Sequence, residues 1–157
     1  MKKMRIGVVF DEAMMLHKEH QDGHPECPER IMAIYLNLIK KNLFSQLVRI
    51  GSEVAGGEDL LLAHKQAHIK HVQEDGQSLE RNKNLRTSQV DTYMNKYTEL
   101  AASISAGSTV EAVAGVCSQM MVDNAFAIVR PPGHHAHNNQ VAGFCFYNNV
   151  GVAARVA

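Results

Sequence analysis

The chain has 157 residues, of which 45% are hydrophobic, and its 16 Lys and Arg residues balance 16 Asp and Glu residues. A single domain of this length can bury about 70% of the surface that its unfolded form exposes. A net charge of zero without a long run of one sign excludes an extended basic surface. We therefore expect no direct nucleic-acid partner and no membrane partner.

The cysteines and the N-terminus indicate a cellular compartment. Cys27, Cys117 and Cys145 form no C-x-x-C pair, so neither a disulfide framework nor a thiolate zinc site is encoded. A reducing compartment, the cytoplasm or the nucleus, fits this pattern. The N-terminal apolar run is short and has no cleavage site, which favours a strand over a signal peptide.

The first half of the chain begins with a short apolar run at 5–10, typical of a buried parallel strand. A histidine-rich segment at 11–27 predicts a surface loop. Pro28 at a first helical turn, followed by apolar residues at helical spacing, predicts a helix over 28–42. Further along, we expect a short strand at 47–50, one or two short helices within 58–72 broken near His64, and an exposed loop at 73–90.

The second half predicts a helix over 92–119 that is rich in alanine and glycine, so that it can lie close to a neighbour. A second buried strand follows at 125–130, and Asn148 or Asn149 caps a last helix that runs to Ala157. This alternation of strands and helices predicts an α/β fold, a parallel sheet with helices on both faces.

Two adjacent histidines, His134 and His135, lie in the segment RPPGHHAHNNQVAGFCFYNN at 130–149. The segment leaves a strand at its carboxyl end, where α/β sheets bind ligands. The two prolines and Gly133 restrict its backbone. Imidazole takes up and returns protons near neutral pH, so the pair suits acid-base catalysis.

Other roles for the histidines remain open. One of the pair can cap the strand while the other is solvated, and His137 completes a local trio for a metal, although adjacent residues rarely converge on one ion. His64, His68 and His71 share one helical face at i, i+4 and i+7 spacing. They can hold a metal or form a solvated or capping face, and Lys65 stands where zinc proteases of the HExxH type carry glutamate.

Four segments carry a resemblance to a known family: HPECPERI (24–31), AHKQAHI (63–69), RPPGHHA (130–136) and GFCFYNNV (143–150). They resemble the histone deacetylases and acetylpolyamine amidohydrolases, zinc-dependent enzymes of the arginase-like α/β fold. The RPPGHHA version is similar to the class II and bacterial branches. The resemblance extends from Arg5 to the last residue.

The resemblance implies roles for five residues. His134 and His135 would activate a zinc-bound water and protonate the departing amine of an acetylated lysine or polyamine. Gly143 and Phe144 would line the narrow tunnel that holds the substrate chain. Asp91 would be a rim aspartate that accepts hydrogen bonds from the substrate backbone.

The family's zinc ligands, an aspartate and histidine in D-x-H spacing and a further aspartate, would follow the tandem histidines. The D-x-H in this sequence, Asp22-Gly23-His24, lies far upstream, so we reject it as the metal site. The oxyanion-stabilising tyrosine and the aspartates that orient the histidines have no match either. We therefore interpret 1–157 as the N-terminal portion of a truncated deacetylase-like domain that binds no zinc alone.

Two functions follow. In the first, the chain is part of a zinc-dependent amide hydrolase and is inactive alone. In the second, it is a truncated deacetylase-like module that binds or self-assembles without catalysis. A truncated sheet leaves a strand edge unpaired and an apolar face uncovered, so we expect a homo-oligomer or a complementing chain.

Overall fold

In the computed structural model of the protein, residues 4–19, 23–78 and 92–157 are described. Three strands, β1 (Ile6–Phe10), β2 (Val48–Arg49) and β3 (Asn124–Ile128), form one parallel sheet in the order β2-β1-β3. The strands predicted from apolar, β-branched runs are confirmed, and their ends agree to within two residues.

Helices cover both faces of this sheet. They are α1 (Pro28–Lys40), α2 (Gly57–Leu61), α3 (Gln66–Ser78), α4 (Thr98–Cys117) and α5 (Asn149–Val156). Successive side chains of a strand point to opposite faces. Accordingly, Val8 of β1 belongs to a core cluster with Ile31 of α1, whereas Val9 belongs to another with Ala112 of α4. The predicted α/β architecture is confirmed.

Two predicted boundaries of helical segments are wrong. The helix predicted from 92 begins at Thr98, because Asn95 holds the preceding residues in a turn: its side-chain oxygen accepts from the backbone N–H of Tyr97. The exposed loop predicted from 73 is helical as far as Ser78, as a continuation of α3. The rest of that loop prediction, from 79 onward, falls outside the described residues.

The segment 11–27 is not simply a surface loop. Glu12–Leu16 form a short 3-10 helix, and Met14 and His17 are 0% and 1% exposed. Met14 packs in the same cluster as Ile31, and Nδ1 of His17 lies 2.9 Å from the hydroxyl of Thr98. The polar composition suggested a solvated segment, but several of its side chains have partners inside the domain.

Helix α4 packs closely against its surroundings, as its small residues predicted. A Cβ at Gly107 would lie 2.2 Å from the carbonyl oxygen of Glu53, and the carbonyl of Ser103 accepts from the N–H of Ala55 at 2.9 Å. By length and composition α4 could cross a membrane. All residues of its stretch 101–108 are buried inside the domain, which is the pattern of a core helix.

Candidate functional site: the tandem-histidine loop

Arg130 follows β3 closely, and its side chain is completely buried. Its Nε and Nη2 donate to the two carboxylate oxygens of Glu26 at 3.0 and 2.7 Å. Its Nη1 donates to the carbonyls of Met14 and His17, and Nη2 also donates to the hydroxyl of Tyr93. A buried cation is tolerated when it is paired and hydrogen-bonded in this way. Arg130 thus ties the start of the histidine loop to the segment that precedes α1.

The next residues are anchored on the opposite side. The Arg130–Pro131 peptide bond is cis. The carbonyl of Pro131 accepts from the hydroxyl of Ser105 at 2.9 Å and from the side-chain amide of Asn149 at 3.3 Å. Helices α4 and α5 therefore fix the backbone three residues before the first histidine.

His134 and His135 follow this anchored start, and both are exposed. Their ring centroids are 4.2 Å apart, with an angle of 54° between the ring planes. The structure therefore places the pair together, beyond the carboxyl end of β3, as the sequence predicted. Both imidazoles are accessible to a molecule from solvent.

Gly143 and Phe144 are the central residues of a tight turn closed by two backbone hydrogen bonds between Ala142 and Cys145. Their φ angles are +48° and +70°, as a two-residue turn with both residues left-handed requires. A Cβ at Gly143 would lie 2.7 Å from Cδ2 of His135. The turn thus lies directly against the imidazole of His135.

Phe144 is held from the other side by two neighbouring residues. Its backbone N–H donates to the hydroxyl of Thr92 at 3.2 Å. Its ring meets that of His24 edge to face at a centroid distance of 4.9 Å, and His24 meets Tyr93 in the same way at 4.7 Å. Burial raises the pKa of Tyr93, so its hydroxyl stays protonated and donates to the carbonyl of Glu26.

A cavity of about 640 Å³ opens beside the histidine loop. Its lining includes His134 and Phe144 of the loop and Phe126 and Ile128 of β3. Cys145, next to Phe144, is fully buried, and burial raises the pKa of its thiol. The cavity places an apolar and aromatic surface next to an exposed imidazole.

Two further histidines form hydrogen bonds to the backbone of the same loop. Nε2 of His64 accepts from the backbone N–H of Asn148 at 2.9 Å, and Nε2 of His68 lies 2.8 Å from the carbonyl oxygen of Phe146. Burial lowers the pKa of both imidazoles. His71 instead is exposed and pairs with Asp75. The three histidines therefore do not converge on one point.

The rim position predicted for substrate binding, Asp91, lies outside the described residues. Among the residues that are described, no three or more His, Cys, Asp or Glu side chains form a group that could hold a metal ion.

Sequence reasoning missed the buried support of the loop, formed by Arg130, Glu26 and Tyr93. From the sequence, Arg130 is only the first residue of the motif RPPGHHA. A signal was available, because a charged residue that ends an apolar strand needs a buried partner of opposite charge. Glu26 lies in one of the segments that carry the family resemblance.

The fold and this loop define a deacetylase-type α/β domain. The histone deacetylase domain matches residues 24–157, and the chain belongs to that family. The crystal structure of the HDA15 HD domain superposes with a TM-score of 0.89 at 34% identity, covering 98% of this chain and 43% of that one. The deacetylase fold predicted from the motifs is confirmed.

Curated relatives agree with the structural match. Histone deacetylase 5 of Arabidopsis thaliana is 37% identical over 157 residues, which cover 98% of this chain and 24% of that protein. Histone deacetylase HDA1 of Candida albicans is 34% identical over 173 residues, covering 97% and 20%. The chain thus spans about a quarter or less of the length of these relatives.

Proposed function

We propose that this chain contributes the proton-transferring part of a zinc-dependent deacetylase site that cleaves the amide of an acetylated lysine or an acetylated polyamine. The observation that carries the proposal is the pair of exposed imidazoles, 4.2 Å apart, on an anchored loop beyond β3. Membership of the histone deacetylase family supports the reaction class.

Amide hydrolysis needs two proton transfers. Water must lose a proton as it attacks the carbonyl carbon, and the nitrogen must gain one before the C–N bond breaks. Two neighbouring imidazoles can divide these tasks, and His134 and His135 are close enough to serve the same substrate. The buried Arg130 and the carbonyl contacts of Pro131 keep the loop that carries them in place.

Gly143 and Phe144 form the wall beside this pair. An aromatic ring stabilises the methylene groups of a lysine or polyamine chain by burying their apolar surface. The backbone of Gly143 approaches His135 closely because it has no side chain. A substrate chain that passes Phe144 would therefore present its amide next to the imidazoles.

The histone deacetylase family is generally zinc-dependent. Since the described residues do not assemble a group of metal ligands, we expect the isolated chain to have no deacetylase activity. The first test is an assay of the purified chain with zinc on an acetyl-lysine peptide and on an acetylated polyamine. Turnover that His135→Ala abolishes would contradict the expected inactivity.

The second test joins this chain, in one polypeptide, to the part of the HDA15 HD domain that lies outside the match. We expect zinc-dependent turnover that His134→Ala or His135→Ala reduces at least about 100-fold. His137→Ala is the matched control, because His137 is an exposed histidine of the same loop, and it should retain activity. A folded hybrid whose turnover is indifferent to His134 and His135 would refute their role.

A further inference from the structure

A second cavity, of about 450 Å³, lies between helix α5, the histidine loop and the connection from α2 to α3. No described residue lines both this cavity and the one beside His134, so the two are separate. Its volume falls in the range of about 300–1,000 Å³ that is typical of sites for small molecules. Its lining includes Leu61, Leu62, His64, Lys65, Asn138 and Arg155, and we call it the basic cavity.

Two cationic side chains, Lys65 and Arg155, line the basic cavity, and both are exposed. No described acidic side chain lines it. None of the ion pairs among the described residues includes Lys65 or Arg155. Two cations in one cavity without an acidic neighbour produce a positive potential that attracts an anion.

The backbone around the cavity is held in place by hydrogen bonds. The N–H of Lys65 donates to the carbonyl of Asn138 at 2.8 Å, which ties the start of α3 to the histidine loop. At the other wall, the side chain of Asn148 caps α5 by accepting from the N–H of Gly151 at 2.8 Å. Arg155 follows Gly151 by four residues and so lies on the same face of α5. A site whose walls are already formed loses less entropy when a ligand binds.

His64 forms part of the wall of the basic cavity and is only 3% exposed. Its Nε2 accepts from the N–H of Asn148, so its Nδ1 carries the hydrogen. The carbonyls of His137 and Asn138 act on the imidazole and oppose the lowering of its pKa, yet no group in the described part of the chain completes a hydrogen bond with Nδ1. A buried N–H without an acceptor is rare and destabilising. This N–H is therefore a further positive group in the wall.

The chemistry of the lining favours a phosphate group. The guanidinium of Arg155 presents its N–H donors in a planar fork that matches phosphate oxygens, and Lys65 adds a compact charge. A phosphate dianion balances both cations, whereas a carboxylate balances only one. Leu61 and Leu62, each 45% exposed, line the same cavity and offer apolar surface to an organic group.

We propose that the basic cavity binds a small phosphate monoester, with its phosphate group between Lys65 and Arg155 and its organic group against Leu61 and Leu62. Asn138 belongs to the loop that carries the tandem histidines, so the ligand also contacts that loop. The site uses neither imidazole of that pair and no metal. It therefore stands independently of the proposed function.

The test is a titration of the 157-residue chain with phenyl phosphate, inorganic phosphate and benzoate at constant ionic strength, followed by calorimetry and 1H–15N NMR. We expect saturable binding of phenyl phosphate, with the largest resonance shifts at the amides of Asn138 and Gly151. Benzoate carries the same ring with a single charge and should bind at least about 10-fold more weakly. Inorganic phosphate should also bind more weakly, because it lacks the apolar ring.

Arg155→Gln and Lys65→Gln should each weaken the binding of phenyl phosphate at least about 10-fold, the effect of losing one charged hydrogen-bond donor. Arg49→Gln and Lys70→Gln are the matched controls, because they remove the same charges from exposed residues that do not line the cavity. These two substitutions should leave the affinity unchanged. Urea unfolding establishes that all four variants fold.

Equal weakening by all four substitutions would show a general attraction to positive charge and would overturn the site, as would the absence of saturable binding. Resonance shifts confined to the cavity beside His134 would overturn its location. Benzoate that binds as tightly as phenyl phosphate would overturn the choice of a phosphate group. Inorganic phosphate that binds as tightly would overturn the monoester and assign the cavity to free phosphate.

Discussion

The imidazole of His135 packs against the α-carbon of Gly143 so closely that a Cβ there would lie 2.7 Å from Cδ2 of the histidine. Gly143 also has φ of +48°, a region that residues with a side chain rarely adopt. Glycine is thus required for two reasons: the backbone has a positive φ, and the imidazole of His135 leaves no room for a Cβ. This contact links the turn that carries Phe144 to the tandem histidines.

Gly143→Ala should lower the free energy of unfolding by about 1–3 kcal/mol, because it adds a clash to a strained backbone. It should also shift the imidazole resonances of His135 in 1H–13C NMR spectra. Gly57→Ala is the control, since a Cβ at Gly57 would meet nothing within 4 Å. Urea unfolding gives the free energy of unfolding of both variants. Equal losses of stability would show that the close contact with His135 does not make Gly143 more sensitive to substitution than Gly57.

Glu26→Gln should destabilise the domain by about 3–5 kcal/mol, because it leaves the buried guanidinium of Arg130 without its carboxylate. Glutamine has nearly the same shape as glutamate, so the loss of stability results from removing the negative charge of Glu26. Glu74→Gln breaks the exposed pair with Lys70 and should cost less than about 1 kcal/mol. Thermal and urea unfolding compare the two. A Glu26→Gln variant as stable as Glu74→Gln would mean that the buried pair is dispensable.

Thr92→Val should loosen the turn at Phe144, because it removes the hydroxyl that accepts the Phe144 N–H. Losing one such hydrogen bond costs about 1–3 kcal/mol when the donor is left without a partner. The hydrogen exchange rate of the Phe144 amide measures the effect directly. Thr109→Val is the control, because the hydroxyl of Thr109 donates to the carbonyl of Ser105 within α4 and lies away from the turn. Unchanged exchange in Thr92→Val would contradict a positioning role for Thr92.

The sequence predicted the elements whose signals are local. The apolar runs of β1 and β3 and Pro28 at the start of α1 depend on neighbouring residues, and the structure confirms them. The extension of α3 to Ser78 could not be predicted, because no apolar periodicity marks 73–78. Packing of Ile69 and Val72 in the core stabilises the start of that helix, and tertiary packing supplies most of a helix's stability.

The candidate site was predictable where one motif carries it and not where distant segments meet. His134, His135, Gly143 and Phe144 lie within one stretch, and the structure brings them together. By contrast, Arg130 and Glu26 are 104 residues apart in the chain. Each is an ordinary charged residue by itself, and only the fold makes them a buried pair.

The burial of His64 makes the stability of the domain depend on pH. Its Nε2 accepts from the N–H of Asn148, which requires that nitrogen to be unprotonated. Burial is the main cause that lowers the pKa of His64, and the neighbouring His68 lowers it further. As the pH falls, the unfolded chain therefore binds the extra proton before the folded chain does. This contribution to stability is full above about pH 6.5 and is lost progressively below it.

His64→Gln should flatten this dependence, because it removes one titrating group while its side-chain oxygen can still accept from Asn148. Between about pH 6.5 and 5, the free energy of unfolding should fall less steeply than in the original chain, by up to about 1.4 kcal/mol per pH unit. Urea unfolding at several pH values measures the slope. Identical slopes for the original chain and His64→Gln would mean that protonation of this buried imidazole does not limit stability in acid.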